Sequence, residues 1–169
     1  EMVSEECKAT ILGIVVTHEG LVVNNPFNNY AANNKVEQLL KAKKMGLTVP
    51  DTVITNNPKR AQKFYEKHNG DIIFKMQKLP IIKDGEIYKT IMTTRVKSED
   101  IENETGIRNS SCCFQERINK EYEIRLTVIG EELFPIAIHS QDSEYSLDDF
   151  RRYDFEKVKD TLVDIPRDI

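Results

Sequence analysis

The chain contains only three cysteines among its 169 residues, Cys7, Cys112 and Cys113. An odd and sparse set of this kind does not make a disulfide framework. No CxxC spacing and no histidine cluster accompanies the adjacent pair Cys112 and Cys113, so we interpret both as ordinary strand cysteines. The low cysteine content fits a reducing, cytoplasmic environment.

Long apolar runs and an excess of basic residues are also lacking. The longest apolar run, residues 10–16, is far shorter than the ~20 residues that a membrane-spanning helix needs, and the acidic N-terminus has no signal-peptide core. The formal net charge is -4, which gives no general attraction to nucleic acid or to an anionic membrane. We therefore predict a cytoplasmic protein that binds neither, with enough apolar residues for one ordinary globular domain.

The motifs of several common enzyme classes are missing. There is no glycine-rich phosphate loop of the GxxxxGK[ST] or GxGxxG kind and no serine nucleophile elbow. The three histidines, His18, His68 and His139, show no ligand spacing. A P-loop enzyme, a dehydrogenase and a serine hydrolase are therefore unsupported.

Hydrophobic periodicity and turn residues predict a mixture of helices and strands. We expect helices at Lys35–Met45 and from Pro58 to His68, because apolar residues recur there at helical spacing after capping asparagines. A short helix is expected within 98–107. The predicted strands are 11–16, 20–23, 49–55, 71–76, 79–82, 87–94, 113–118, 122–129 and 133–140, with loops at 24–34 and 141–155. This order predicts an α+β, or mixed α/β, fold with mainly antiparallel sheets.

Two lysines stand where a cation is unexpected. Lys75 lies in an otherwise apolar strand, where a buried and unpaired ammonium is costly, so it either reaches water or meets an anion. Lys35 opens a helix, where a cation is unfavourable by ~0.3–1 kcal/mol unless it shares a bound phosphate with the helix amides. From the residues alone, a solvated lysine remains the alternative at both positions.

Three charged residues lie on consecutive predicted strands: Glu116, Glu123 and Arg125. The side chains of Glu123 and Arg125 should face the same side of their sheet, because they are two positions apart. They form either a surface ion pair of little energetic value or a carboxylate and a guanidinium that hold a ribose hydroxyl and a phosphate.

Taken in order, these segments resemble the ATP-grasp domain of peptide-modifying ligases. Residues 34–56 resemble its beginning, 71–75 its lysine strand, and 114–130 its adenine-hinge and ribose strands. Residues 138–142 and the later Asp149-Phe-Arg resemble the block that follows. The chain is most similar to maturases of ribosomally made peptides, of the graspetide or microviridin type, and within them to the "grasp-with-spasm" group. The resemblance covers about residues 23–169.

The resemblance implies a role for each candidate residue in the nucleotide site. Contacts to the phosphates of ATP would come from Lys35 and Lys75. Arg125 would lie near the phosphates or the acyl phosphate, and Arg151 would contact substrate or phosphate. Arg125 and Arg151 would therefore be the catalytic side chains.

The sugar and the base would be held by residues of the later strands. Gln115, Glu116 and the backbone as far as Ile118 would form the hinge that meets adenine. Glu123 would bind the ribose hydroxyls.

The reaction implied by the resemblance is ATP-dependent ligation. A peptide side-chain carboxylate attacks the γ-phosphate of ATP and forms an acyl phosphate, which a hydroxyl or an amine of the same peptide then attacks. The products are a side-chain ester or amide, ADP and phosphate. Such phosphoryl transfer depends on positioning and on charge neutralisation by Mg²⁺ and basic side chains. The expected cofactors are ATP and Mg²⁺, and the expected partner is a precursor peptide, with self-association into a homo-oligomer as a further expectation.

In the family, the magnesium ligands lie on late strands that would follow residue 169. We therefore expect no metal site within the chain and no ligation by it alone. The expected fold is two-lobed and incomplete at its C-terminus. Residues 1–23 would be the last strands of a preceding domain, 24–110 the first lobe, and 111–169 the start of the second lobe.

Two alternatives to a peptide maturase stay open. One is a ligase that adds amino acids to protein tails, like the ribosomal-protein glutamate ligases. The other is an inactive, truncated module that binds a nucleotide or a peptide.

Overall fold

The computed structural model describes residues 2–78, 82–152 and 154–166. The chain divides into two compact units, residues 1–49 and 50–169, and each is described by itself. The boundaries expected at residues 23 and 110 stay a prediction.

Three helices make up the described part of the first unit: α1 (Met2–Thr17), α2 (Pro26–Ala32) and α3 (Lys35–Lys44). The Asn25 side chain caps α2 by accepting from two backbone amides, and Asn34 caps α3 in the same way. An asparagine oxygen at this position satisfies amides that have no partner inside the helix. The predicted helix after Asn34 is therefore confirmed.

The strands expected at 11–16 and 20–23 are wrong, since α1 runs through the first of them without a break and no strand occupies the second. The hydroxyls of Thr10 and Thr17 donate to the carbonyls of Glu6 and Gly13, one helical turn earlier. A short run of β-branched residues carries no clear period, so the strand and the helix could not be separated by pattern. The loop expected at 24–34 is also wrong over most of its length, because it contains α2. No helix in the described ranges is long and apolar enough to cross a membrane.

A four-stranded antiparallel sheet forms the centre of the second unit. Its strands are β1 (Thr52–Thr55), β2 (Ile72–Lys75), β5 (Thr94–Arg95) and β6 (Cys112–Glu116), in the order β1-β6-β2-β5. β6 therefore has a neighbour on each side. Gln115 lies opposite Thr52 of β1 and opposite Ile73 of β2.

One face of this sheet packs against three helices: α4 (Pro58–Lys67), α5 (Ser98–Glu102) and α6 (Glu104–Arg108). The buried core contains alternate residues of the strands, because successive side chains of a strand point to opposite faces. Its members are Ala61, Phe64, Ile72, Val96, Ile101, Ile107, Cys112 and Phe114. The helix predicted after Asn57 is confirmed as α4, and the single short helix expected within 98–107 is two helices.

The predicted hairpin around Lys83–Glu86 is confirmed by two short exposed strands, β3 (Ile82–Asp84) and β4 (Ile87–Lys89). Gly85, at its turn, has a φ of 63°, which glycine adopts without steric cost. Residues 79–81 of the expected first strand lie outside the described residues.

A three-stranded antiparallel sheet completes the second unit, with β7 (Glu123–Ile129), β8 (Glu132–Ile138) and β9 (Asp160–Leu162). Its β7–β8 hairpin confirms the one predicted around Gly130. Between β8 and β9 the described residues include two short 3₁₀ turns, Ser140–Asp142 and Phe150–Arg152. The combination of helices with antiparallel sheets confirms the predicted fold class.

Candidate functional site

Lys75 lies on the face of the four-stranded sheet that points away from the helical core. It is paired with Cys113, and Gln115, two positions further along β6, lies on the same face. The Lys75 ammonium donates to Gln115 Oε1 at 2.8 Å, and Gln115 Nε2 donates to Thr52 Oγ1 at 2.8 Å. Thr52 in turn donates to the carbonyl of Pro50 at 2.8 Å. Three strands thus fix one cation through a continuous row of hydrogen bonds.

The Gln115 side chain is the buried link in this row, with 5% of the residue exposed. A buried amide without partners would cost roughly 1–3 kcal/mol, and here both ends of the amide are bonded. The Gln115 oxygen therefore faces Lys75 because its nitrogen is used by Thr52. The sequence predicted Lys75 and Gln115 as site residues, and the structure brings them together.

Glu116 points to the opposite side of the sheet from Lys75. Its Oε1 accepts from the Asp51 amide at 2.9 Å, and its Oε2 lies 3.8 Å from Nδ1 of His68. His68 Nε2 contacts the Asp51 carboxylate, and hydrogen bonds from Lys67 and then from His68 lower the pKa of Asp51. The Glu116 side chain thus ties β6 to the residue before β1, near the end of α4, and the predicted adenine hinge would use its backbone.

Glu123 and Arg125 share one face of β7, as their spacing predicted. The Glu123 carboxylate is half-buried and accepts at Oε1 from Ser140 Oγ at 2.8 Å, and the same oxygen forms an ion pair with Lys120 Nζ at 2.8 Å. Arg125 is exposed, and within the described ranges it makes no hydrogen bond or ion pair. Glu123 is therefore held in place, whereas the predicted catalytic guanidinium of Arg125 is exposed and has no hydrogen-bond partner among the described residues.

The segment Ser140–Arg152, which we call the serine strap, carries four buried polar residues at intervals of three. Ser140, Ser143, Ser146 and Asp149 are exposed by 0%, 2%, 0% and 4%. The Ser146 hydroxyl donates to the Ser140 carbonyl at 2.7 Å, and Ser143 donates to Asp154 at 2.6 Å. The segment was predicted as a loop, and side-chain hydrogen bonds hold it together.

Asp149 anchors the far end of the serine strap and holds Arg151. Its two oxygens accept from the Arg151 guanidinium at 2.8 and 2.6 Å, a bidentate pair, and also from the Thr93 amide at 2.9 Å. Burial alone would raise the pKa of Asp149. The hydrogen bonds from Arg151 and Thr93 outweigh burial and lower the pKa to about 2. The predicted site residue Arg151 is therefore oriented by a carboxylate that is charged at neutral pH.

A second carboxylate joins the serine strap to the four-stranded sheet. Asp148 accepts from Nε of Arg95 at 3.1 Å and from Nε of Arg117 at 3.1 Å. Arg117 stands between Glu116 and Ile118, in the predicted adenine hinge. Ile118 itself is exposed in the link from β6 to β7.

Lys35 is the one predicted phosphate contact that belongs to the first unit. It is half-buried at the first position of α3, next to the capping residue Asn34. This placement agrees with the sequence. Its role toward a nucleotide stays a prediction.

Cys112 lines a cavity of about 200 Å³ on the helical side of the sheet, with Phe74, Val96, Ile107 and Phe114 among its neighbours. Burial raises the pKa of the Cys112 thiol, so it stays protonated at neutral pH. This supports its interpretation as an ordinary strand cysteine, away from the face that carries Lys75.

Candidate metal ligands do not cluster in the described part of the chain. No group of three or more His, Cys, Asp or Glu side chains there could hold an ion. Mg²⁺ prefers near-octahedral oxygen ligation, and the side chains of these ranges do not supply it.

Comparison with solved structures gives an extensive match to this fold. A RiPP-associated ATP-grasp ligase from Chryseobacterium gregarium, solved with ADP and a leader and core peptide, is 29% identical with a TM-score of 0.88. The match covers 99% of this chain and 50% of that one. The structural neighbours are RiPP-associated ATP-grasp ligases. The resemblance inferred from the sequence is therefore confirmed.

Two further ATP-grasp ligases extend the comparison. The macrocyclase MdnC from Microcystis aeruginosa MRC, solved with the precursor peptide MdnA, is 30% identical with a TM-score of 0.82, over 97% of this chain and 51% of that one. The ligase PsnB, solved with a precursor variant, Mg and ADP, has a TM-score of 0.69 at 19% identity, which shows the fold alone. The chain spans about half the length of these solved relatives. No family model and no curated protein matches it.

Sequence reasoning missed the residues that hold the predicted site residues in place. Gln115, Glu123 and Arg151 are hydrogen-bonded by Thr52, Ser140 and Asp149, respectively, and Glu123 also forms an ion pair with Lys120. The regular spacing of Ser140, Ser143, Ser146 and Asp149 was the available signal. It has neither the helical nor the strand period, so it was interpreted as a polar loop.

Proposed function

We propose that this chain is the ATP-binding part of an ATP-grasp ligase that activates a side-chain carboxylate of a ribosomally made precursor peptide. The carboxylate would become an acyl phosphate, and a hydroxyl or amine of the peptide would then form an ester or amide crosslink. The observation that carries this proposal is the similarity over 99% of the chain to a ligase solved with ADP and a leader and core peptide.

The arrangement of charge on the four-stranded sheet supports a nucleotide at this place. Lys75 is half-buried on the face opposite the helical core and is oriented by Gln115. A positioned ammonium can neutralise phosphate charge without reorganisation. In this proposal Lys75 contacts a phosphate, and the backbone of residues 115–118 meets adenine.

The second sheet and the serine strap supply the remaining groups. Glu123 is a fixed carboxylate that suits a ribose diol. Arg151 is oriented by Asp149 and would contact phosphate or substrate, as would the exposed Arg125. Mg²⁺ belongs to the proposed reaction, with ligands outside the described residues.

Calorimetric titration with ATP, ADP and GTP tests the nucleotide part of the proposal. We expect ATP and ADP to bind the chain and GTP to bind more weakly, because hinge backbone groups read the edge of the base. Absence of ATP binding at millimolar concentration would contradict the proposed function.

Mass spectrometry tests the reaction. An intact ligase that contains this chain is incubated with ATP, Mg²⁺ and its own precursor peptide, and the peptide should lose one water for each ester or amide formed. This chain by itself should leave the peptide mass unchanged. Addition of glutamate to a protein tail, with no loss of water from the peptide, would instead favour the glutamate-ligase alternative.

A further inference from the structure

The Ser140 hydroxyl is fully buried, and it points at the carboxylate that we assign to the ribose. Ser140 has 0% exposure, and its Oγ donates to Glu123 Oε1 at 2.8 Å. A hydrogen bond from a neutral donor to a charged acceptor is stronger than one between neutral groups. The Ser140–Glu123 contact therefore constrains the carboxylate more than an ordinary surface contact would.

The two partners of Glu123 both use the same oxygen. Ser140 Oγ and Lys120 Nζ each lie 2.8 Å from Oε1. A carboxylate oxygen has about two lone-pair sites, and Oε1 carries both the Ser140 hydrogen bond and the Lys120 ion pair. Within the described ranges Oε2 accepts no hydrogen bond, and its lone pairs remain for a ligand.

Ser140 is itself fixed by the serine strap. Its carbonyl accepts from Ser146 Oγ at 2.7 Å, and its hydroxyl accepts from Gln141 Nε2 at 3.3 Å. Ser146 is as fully buried as Ser140. The donor that orients Glu123 thus sits on backbone that is held from a second direction.

We propose that Ser140 is a positioning residue that makes the site selective for ribose, by holding Glu123 so that Oε2 faces the sugar hydroxyls. This inference rests on the proposed ATP site and deepens it. Without the Ser140 bond, the Glu123 carboxylate would turn about its terminal torsion. It would then meet the 2′-hydroxyl less often, while the phosphate contacts of Lys75 would be unaffected.

The test is a comparison of ATP with 2′-deoxy-ATP by calorimetric titration of the whole chain. The wild type should prefer ATP by about tenfold, the effect expected for a hydrogen bond between a hydroxyl and a charged acceptor. Ser140→Ala should reduce that preference to about threefold, with a smaller change in the affinity for 2′-deoxy-ATP.

Ser143→Ala is the matched control. Ser143 is equally buried in the same segment but donates to Asp154. Its loss should lower the melting temperature and leave the sugar preference unchanged. A loss of preference in both serine variants would indicate a general loosening of the segment and would overturn the positioning role of Ser140.

A double variant separates positioning from direct contact. In Glu123→Ala the sugar preference should be lost, and adding Ser140→Ala should then change nothing further, because Ser140 acts through Glu123. If Ser140→Ala does not fold, Ser140→Cys takes its place. It nearly preserves the volume and replaces the hydroxyl by a weak donor, so an intermediate preference is expected.

The outcomes distinguish the two proposals. A wild type that binds no ATP overturns the proposed function and the role of Ser140 with it. A wild type that prefers ATP through Glu123, together with a Ser140→Ala variant of undiminished preference, overturns the Ser140 inference alone.

Discussion

The two sheets of the second unit differ in how much of their surface the described chain covers. Phe114 of the four-stranded sheet is 4% exposed, whereas Phe134 of the three-stranded sheet is 50% exposed. In the first sheet one face packs on three helices and the other carries a bonded row of polar groups. In the second, most of β7 and the first half of β8 are exposed.

The two sheets also differ in whether their predicted site residues have hydrogen-bond partners. Lys75 is oriented by side chains from two neighbouring strands, and Glu123 is oriented where β7 meets the serine strap. Arg125 is only two residues beyond Glu123, yet it points into an uncovered region. The predicted roles in the nucleotide site are therefore best supported for Lys75 and Glu123, whose side chains are held by neighbouring residues.

The largest expected effect is a difference in the free energy of unfolding between alanine variants of Phe114 and Phe134. Phe114→Ala should lower the free energy of unfolding by ~3–5 kcal/mol, because it leaves a cavity in the core. Phe134→Ala should cost less than ~1 kcal/mol, because half of that residue is already in water. Urea denaturation of both variants measures the difference. Equal losses would mean that Phe134 is covered in solution, for instance in an oligomer, and would contradict the difference in exposure between the two sheets.

The next largest effect concerns ATP binding at the four-stranded sheet. Lys75→Met should weaken ATP binding by ~1.5–3 kcal/mol, or roughly 10- to 150-fold, the range for a hydrogen bond that involves a charged group. Lys78→Met, which changes an exposed lysine three residues later, is the control and should bind like the wild type. Calorimetric titration checks both variants, and equal affinity in Lys75→Met would remove Lys75 from the site.

Asp149 of the serine strap accepts from the Thr93 amide, next to β5 of the four-stranded sheet. Its contribution to the stability of the fold should depend on pH. Its pKa is about 2 in the folded chain, below the ordinary 3.8. A lowered pKa stabilises the fold fully above pH ~4, and that contribution disappears as the pH falls toward 2. The shift corresponds to roughly 2 kcal/mol. Asp149→Asn should therefore be less stable than the wild type at pH 7, and the gap should narrow in acid.

Denaturation at several pH values between 7 and 2 checks the Asp149 prediction. Asp84→Asn is a suitable control, because Asp84 is an exposed residue of the β3–β4 hairpin. A gap between Asp149→Asn and the wild type that does not change with pH would show that the carboxylate charge is not what stabilises the serine strap.

The smallest expected effect belongs to the exposed sheet. Arg125→Ala should change the free energy of unfolding by less than ~0.5 kcal/mol, because its guanidinium has no partner among the described residues. Thermal unfolding measures this change. A clear loss of stability would mean that other residues already hold the Arg125 guanidinium in the free protein.

Sequence patterns predicted the second unit well because its signals are local. Asn57-Pro58 marked the start of α4, and turn glycines marked both hairpins. Lys75 was singled out by its position in an apolar strand and Gln115 by the family resemblance; the structure bonds the two side chains, and their roles toward a nucleotide stay a prediction. The shared face of Glu123 and Arg125 followed from the period of a strand.

The errors arose where local patterns carry too little information. Residues 11–16 are rich in β-branched side chains and were assigned to a strand, but they lie within α1. The contacts of Ser140 with Glu123 and of Asp149 with Thr93 join residues 17 and 56 positions apart. No periodicity connects such positions, because contacts of this kind arise only when separate elements pack together.

The serine strap should be unusually intolerant of insertions. Surface loops normally accept extra residues at a small entropic cost. Here Ser140, Ser143, Ser146 and Asp149 must all face inward, and one residue added between Ser143 and Ser146 would move the hydroxyl of Ser146 away from the Ser140 carbonyl. The length of this segment is therefore specified by its hydrogen bonds, and related proteins should vary in its exposed positions rather than in its number of residues.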